Sequence, residues 1–216
     1  MNHDHTLVAI EDRYGFKLPA VYRHAVAEGW IDTDVWEKYT PLFMGEWLSL
    51  QAILDYDFQA VDSETPVNPG LIPFAQSPGG DPYCWCPARA INGEAVVGYT
   101  GYGEFDSIQL CAPNLLGFVY RNALDQLSTG CEYEDETEFR HNLARWRTTW
   151  FPLFPQPWQN ELAAIPESAT VEWTRTLKSG YQERGRSFWH PDTCDRLVSR
   201  DLHFEGIDET MKLSIP

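Results

Sequence analysis

The chain has 216 residues, 43% of them hydrophobic and 14% aromatic, and sets 16 basic against 32 acidic residues for a formal net charge of −16. This is the composition of a folded globule with a sizeable core, either one large domain or a domain with an extension. The charge argues against nucleic acid and anionic membranes as partners, since both need a positive field, and favours a basic partner.

Residues 1–66 are the most acidic third, with 12 acidic and 4 basic groups. The five cysteines, Cys84, Cys86, Cys111, Cys131 and Cys194, are odd in number and irregularly spaced, which argues against a disulfide framework and for a reducing compartment. The first residues show no basic leader before an apolar core, and no apolar run approaches the roughly 20 residues of a membrane span. The expectation is a soluble, cytoplasmic protein.

In chain order, Thr6–Tyr14 reads as a short helix stopped by Gly15, and Leu18-Pro19 opens a second that ends at Gly29. Trp30–Tyr39 interleaves aromatics with acids and reads as an exposed loop or edge. Leu42-Phe43-Met44 and Trp47-Leu48 suggest a strand interrupted at Gly45. Ser49 then caps a helical stripe of Leu50, Ile53, Leu54, Phe58 and Val61. Ser63–Gly70 is a linker.

The centre of the chain is Gly70–Pro87. Leu71–Ala75 is an apolar run, Ser77-Pro78-Gly79-Gly80-Asp81 a glycine turn, and Tyr83-Cys84-Trp85-Cys86 a second strand. Together they predict a β-hairpin with Asp81 at its tip. Ala95–Thr100 and Ser107–Cys111 read as further strands, and Asn114 caps a helix through Leu127. After residue 130 the character changes. Phe139, Leu143, Trp146 and Trp150 make one helical face, and 151–158 is a proline-spaced aromatic connector. Val171–Arg175 alternates like a strand, with Leu202-His203-Phe204 a candidate partner.

In this order the elements resemble the SUKH superfamily, the Smi/Knr-type domain of many bacterial immunity proteins. The matching residues are Ile10–Pro19 with Tyr22, then Trp47-Leu48-Ser49-Leu50, then Leu71–Ala75 followed by Gly79-Gly80-Asp81-Pro82-Tyr83-Cys84, and a closing helix over Leu115–Leu127. Pro82 inside the second hairpin strand and the aromatic tail depart from the pattern. The resemblance implies an α+β fold, SUKH-like, with a mainly antiparallel sheet packed with helices. It assigns 1–130 to the domain and leaves 131–216 as a C-terminal extension packed on the core. It also implies a non-catalytic immunity protein that binds and neutralises a cognate toxin domain, with no cofactor; nucleases are prominent among such toxins.

The residues by themselves offer few reaction signatures. Cys84 and Cys86 with His190 or Cys194 are a conceivable zinc set, but no second close pair completes it, so ordinary buried cysteines are preferred. His190-Pro191-Asp192 reads as a turn and His3-Asp4-His5 as a frayed terminus. GYTGYG (98–103) lacks the lysine and helix of a phosphate loop. The partner-binding surface is placed at the sheet rim near the hairpin: Asp32, Asp34, Trp36, Glu37, Asp81, Tyr83, Trp85, Tyr102, Glu104 and Asp106. The alternative is an enzyme or carbohydrate-binding protein that uses an aromatic, acidic cleft near the same hairpin.

Overall fold

The computed structural model describes residues 3–32, 42–43, 45–61, 70–101, 106–129, 136–163 and 170–212. Helices α1 (His3–Tyr14) and α2 (Ala20–Ala27) form the expected helical hairpin. Gly15 makes the turn at φ +58°, a left-handed conformation suited to glycine, and Pro19 stands at the N-cap of α2. Leu42 and Phe43 are buried and are not in a strand, and the short β1 (Glu46–Trp47) follows later in the chain. The Ser49 hydroxyl accepts from the Ala52 N–H at 3.0 Å and caps α3 (Leu50–Asp55), as expected. The helical stripe does not continue unbroken. Tyr56 turns extended at ψ 127°, and a separate α4 (Phe58–Val61) follows.

The central hairpin forms from β2 (Ile72–Gln76) and β3 (Pro82–Ile91). Pro82 is the first residue of its strand, a position where its missing donor is tolerated. β3 runs on past Cys86 through an irregular stretch around Pro87 and turns at Asn92-Gly93, both at positive φ, into β4 (Glu94–Tyr99). β5 (Ser107–Ala112) follows. Helix α5 (Leu115–Thr129) is capped by Asn114, whose Oδ1 accepts from Gly117 N–H at 2.8 Å.

Beyond residue 130 come α6 (Glu136–Thr149), a 3-10 turn at Phe151–Leu153 and α7 (Gln156–Ala163). Then come the strands β6 (Val171–Thr176) and β7 (Gln182–Ser187), α8 (Pro191–Asp201) and β8 (Thr210–Lys212). The aromatic connector is therefore largely helical. His190 is no simple turn: its ring Nδ1 accepts from the Asp192 N–H and caps α8, with Pro191 in the first turn. Leu202-His203-Phe204 is not a strand, and β6 pairs with β7 instead.

The fold is α+β. Its main sheet is antiparallel throughout, in the order β1-β2-β3-β4-β5-β8, and β6–β7 form a separate two-stranded ribbon. The chain divides into two compact units. The first comprises residues 1–37, 44–118 and 204–216, and holds the main sheet with α1–α4. Its sheet is buried on both faces. Trp85, Phe74 and Phe118 pack on one; Cys84, Cys86, Val96, Ile108 and Leu110 join Phe58 and Leu71 on the other. The second unit comprises 38–43 and 119–203. There the predicted stripe Phe139, Leu143, Trp146 and Trp150 is buried, with Phe139 stacked on Phe188 at 4.5 Å and Tyr120 on Trp158 at 4.4 Å.

One glycine is fixed by space and not by φ. A Cβ at Gly98 of β4 would stand 2.6 Å from the Gln109 carbonyl oxygen and 2.6 Å from Ile108 Cγ1, at the register shift between β4 and β5. We expect Gly98→Ala to destabilise the protein by about 1–3 kcal/mol through overpacking against backbone. A urea melt gives the test, and an unchanged midpoint would contradict it.

Candidate partner-binding site

The helical hairpin is held by a buried carboxylate. Glu11 is 5% exposed; its Oε1 accepts from the Leu18 N–H at 3.1 Å and its Oε2 from Lys17 Nζ at 2.8 Å, while Arg23 Nη1 lies 3.6 Å away. The Lys17 hydrogen bond is the largest influence, and with the Leu18 N–H and the nearby cations it outweighs burial and holds the Glu11 carboxyl below its usual value. One side chain thus ties α1 to the turn and to α2. Tyr14 adds a hydrogen bond from its hydroxyl to the Ile53 carbonyl at 3.0 Å, which joins α1 to α3.

Beside this hairpin lies a cleft of about 490 Å³. Thr6 of α1, Tyr22 and Val26 of α2, and Ile31 and Asp32 just after it form one part of the lining. Leu48 and Leu50, at the start of α3, form another. Tyr22 is 0% exposed and its ring meets Trp85 edge-on at 4.9 Å. Its hydroxyl has no hydrogen-bond partner among the described residues. Burial pushes the Tyr22 phenol well up, so it stays protonated. The cleft was not anticipated from sequence, because its lining comes from four separated stretches.

The hairpin tip is locked from within. The Ser77 hydroxyl donates to Asp81 Oδ2 at 3.1 Å and accepts from the N–H groups of Gly79 and Asp81 at 3.2 and 3.1 Å. Gly80, at φ +87°, donates its N–H to the Ser77 carbonyl. Asp81 is therefore a turn-forming residue first, and only half-buried surface beyond that.

The ten residues proposed from sequence fare differently. Asp81, Tyr83 and Asp106 are brought to the same end of the main sheet, which the β2–β3 turn, the end of β4 and the start of β5 share. Tyr83 is half-buried, 4.9 Å from Phe118 and 6.2 Å from Tyr99 across the strand pair. Tyr99, 36% exposed, is the surface aromatic that sequence reading missed; its place opposite Tyr83 was the available signal. Asp106 is exposed and sits 3.7 Å from Lys212 of β8. Asp32 is exposed and belongs to the cleft. Asp34, Trp36, Glu37, Tyr102 and Glu104 lie outside the described residues.

Trp85 is corrected. It is 0% exposed, packed on Phe74 at 4.5 Å and on Tyr22, so it has no surface to give a partner. It sits on an interior strand covered on both faces, where neither orientation reaches solvent. Cys84 and Cys86 are also buried. Desolvation raises both thiols, so they are neutral and poorly suited to ligate or attack. Among the described residues no group of three or more His, Cys, Asp or Glu is arranged to hold a metal ion.

These features meet in one comparison. Residues 2–121, more than half of the chain, match the SMI1 / KNR4 family (SUKH-1). The chain belongs to that family. The match ends within α5, and the SUKH-1 region therefore contains the helical hairpin, the cleft, the locked turn and β1–β5. SUKH domains are known in immunity proteins and are typically non-catalytic there, with toxins as partners in general. No curated protein and no solved structure matches the chain. No helix among the described residues is long and apolar enough to cross a membrane.

The Glu11 arrangement makes a pH-dependent expectation. A carboxylate with a lowered folded pKa stabilises the fold above its unfolded value, and that contribution disappears as pH falls through the folded value. Glu11→Gln should cost about 2 kcal/mol near pH 7, the scale of hydrogen bonds to a charged group. The difference between variant and wild type should shrink steadily once pH drops below the ordinary carboxylate value of 4.5. Parallel denaturant titrations at neutral and acid pH measure it, and a difference that does not change with pH would contradict it.

Proposed function

We propose that this SUKH-1 protein is a cytoplasmic, non-catalytic immunity protein that binds and neutralises a cognate bacterial toxin domain, a nuclease delivered by contact being one candidate. The observation that carries the reading is the family match over 2–121 in a chain whose net charge is −16. An acidic inhibitor attracts a basic partner over long range, which speeds encounter and makes it sensitive to salt.

The surface proposed for contact is the sheet end with Asp81, Tyr83 and Asp106, now joined by Tyr99, together with Asp32, Asp34, Trp36, Glu37, Tyr102 and Glu104. Trp85 drops out. Its burial also removes one aromatic from the enzyme or carbohydrate-binding alternative, which uses an aromatic, acidic cleft near the same hairpin. On the same reading residues 131–216 are an extension and not an independent domain. Two observations support this: Tyr120 stacks on Trp158, and the Leu127 carbonyl accepts from the Trp189 N–H at 3.0 Å, so residues before the boundary contribute to packing after it. Limited proteolysis should yield no stable folded 131–216 fragment, and recovery of one would contradict the assignment.

The binding test uses the cognate toxin domain, sought in the open reading frames next to the one that encodes this chain. Neutralising Asp32, Asp34, Glu37, Glu104 and Asp106 together, with Asp81 spared for its role in the turn, should slow association and flatten its salt dependence. Tyr99→Ala should instead speed dissociation, at a cost of about 2 kcal/mol if it anchors the interface. Unchanged association by the folded five-site variant would overturn the proposed surface.

A further inference from the structure

The main sheet ends on a strand that the family-matched region does not supply. The match covers residues 2–121, yet the last place in the strand order belongs to β8 (Thr210–Lys212), and residues 204–216 fall within the first compact unit. The chain arrives there from residue 203, where the second unit ends. A short tail thus completes a sheet whose other strands lie far back in the sequence.

The tail is held along its length. Thr210, Met211 and Lys212 stand opposite Gln109, Ile108 and Ser107 of β5. Leu110 is 1% exposed, and both of its backbone groups bond to the tail. Its N–H donates to the Glu209 carbonyl at 3.2 Å, and its carbonyl accepts from the Asp208 N–H at 2.7 Å. Phe204 and Met211 pack against the apolar cluster that holds Ile108 and Leu110. Gly206 at φ +89° and Asp208 at φ +61° bend the tail just before it pairs.

With the tail lifted away, β5 would present a row of unpaired backbone groups, and a buried N–H and carbonyl at Leu110 would lose their partners. An edge of that kind takes an extended segment that fits it. The segment with a suitable side chain and bend at every position is 204–212, and every copy of the chain carries it. Contacts made between copies equal those made within one, so concentration decides between them. A short tether gives the chain's own tail an effective concentration on the order of millimolar.

We propose that the β5 edge is a strand-acceptor site, that residues 204–212 are its tethered ligand, and that the tail of a second copy takes the site by exchange. Reciprocal exchange makes a closed two-fold dimer with no new kind of contact. The inference goes beyond the immunity reading and does not depend on it.

The test uses full-length chains. Gln109 and Thr210 are opposite in register, so a cysteine at each position comes within disulfide reach. A chain carrying both Gln109→Cys and Thr210→Cys should close the bond within itself. Separate Gln109→Cys and Thr210→Cys chains with different tags are incubated together at about 1 mM, the scale of the tether's effective concentration, and then oxidised. They should give a disulfide-linked species bearing both tags, and tenfold dilution should cut its yield about tenfold. Thr210→Cys mixed with Thr176→Cys, an exposed position outside the pair, sets the background of random oxidation. If the double variant closes but the mixture gives no two-tag species above that background, the tail is fixed within its own chain and the proposal is overturned. A double variant that does not close would overturn it too, by contradicting the register.

Discussion

The edge-on contact between Trp85 and Tyr22 is the constraint on which the SUKH-1 region depends. Trp85 projects from β3, an interior strand of the main sheet, and Tyr22 from α2, so their 4.9 Å approach seats the helical hairpin on the sheet. Phe16 at 6.0 Å and Phe74 at 4.5 Å complete the setting around the indole. A buried aromatic of this size removes on the order of 200 Å² from water, a gross contribution of about 5 kcal/mol before entropy is counted. Because Trp85 locates Tyr22, it also shapes the wall of the cleft. Glu11 does for the hairpin's internal geometry what Trp85 does for its seat: hydrogen bonds from Leu18 and Lys17 fix how α1 and α2 meet.

The acidic residues of the chain differ in how far they are withdrawn from solvent. Glu11 clamps the hairpin, Asp81 closes the β2–β3 turn, and Asp201 accepts from the Tyr120 hydroxyl at 3.1 Å and meets Arg200 at 2.8 Å. Each sits where a second element is being joined. Asp32 and Asp106 are exposed on the first unit and are candidates for meeting a partner. Charge reversal at the first three tests the fold; at Asp106 it also breaks the ion pair to Lys212, so recognition there is read on variants shown to remain folded. Net charge alone does not separate them.

Much of the fold was legible because local signals agreed. The Leu18-Pro19 start, the Ser49 and Asn114 caps, the glycine turn before Asp81 and the Phe139–Trp150 stripe each have a physical cause within a few residues. The failures have causes as well. Trp85 was misplaced because alternation reports one buried face, and β3 is buried on both over Cys84–Cys86. The break at Tyr56 is invisible to periodicity, since Phe58 keeps helical spacing while packing in the other sheet-face cluster. β8 is only Thr210–Lys212, too short to show a pattern, and exists because β5 offers it an edge. The Asn92-Gly93 hairpin turn and Pro191 in the first turn of α8 carried signals that were there to be read. The cleft was beyond reach, because it assembles residues from His3 to Gln51 that only the tertiary fold brings together.

Immunity by direct contact differs from enzymatic inactivation in one measurable respect, its stoichiometry. The most direct measurement titrates the activity of the cognate toxin domain against increasing amounts of this protein, with incubation time varied at each ratio. Direct binding predicts a linear loss of toxin activity to an end point at one or a small whole number of copies per toxin, the same at every incubation time. Toxin activity that goes on falling with time when this protein is far below that ratio, or that never falls, would contradict the account.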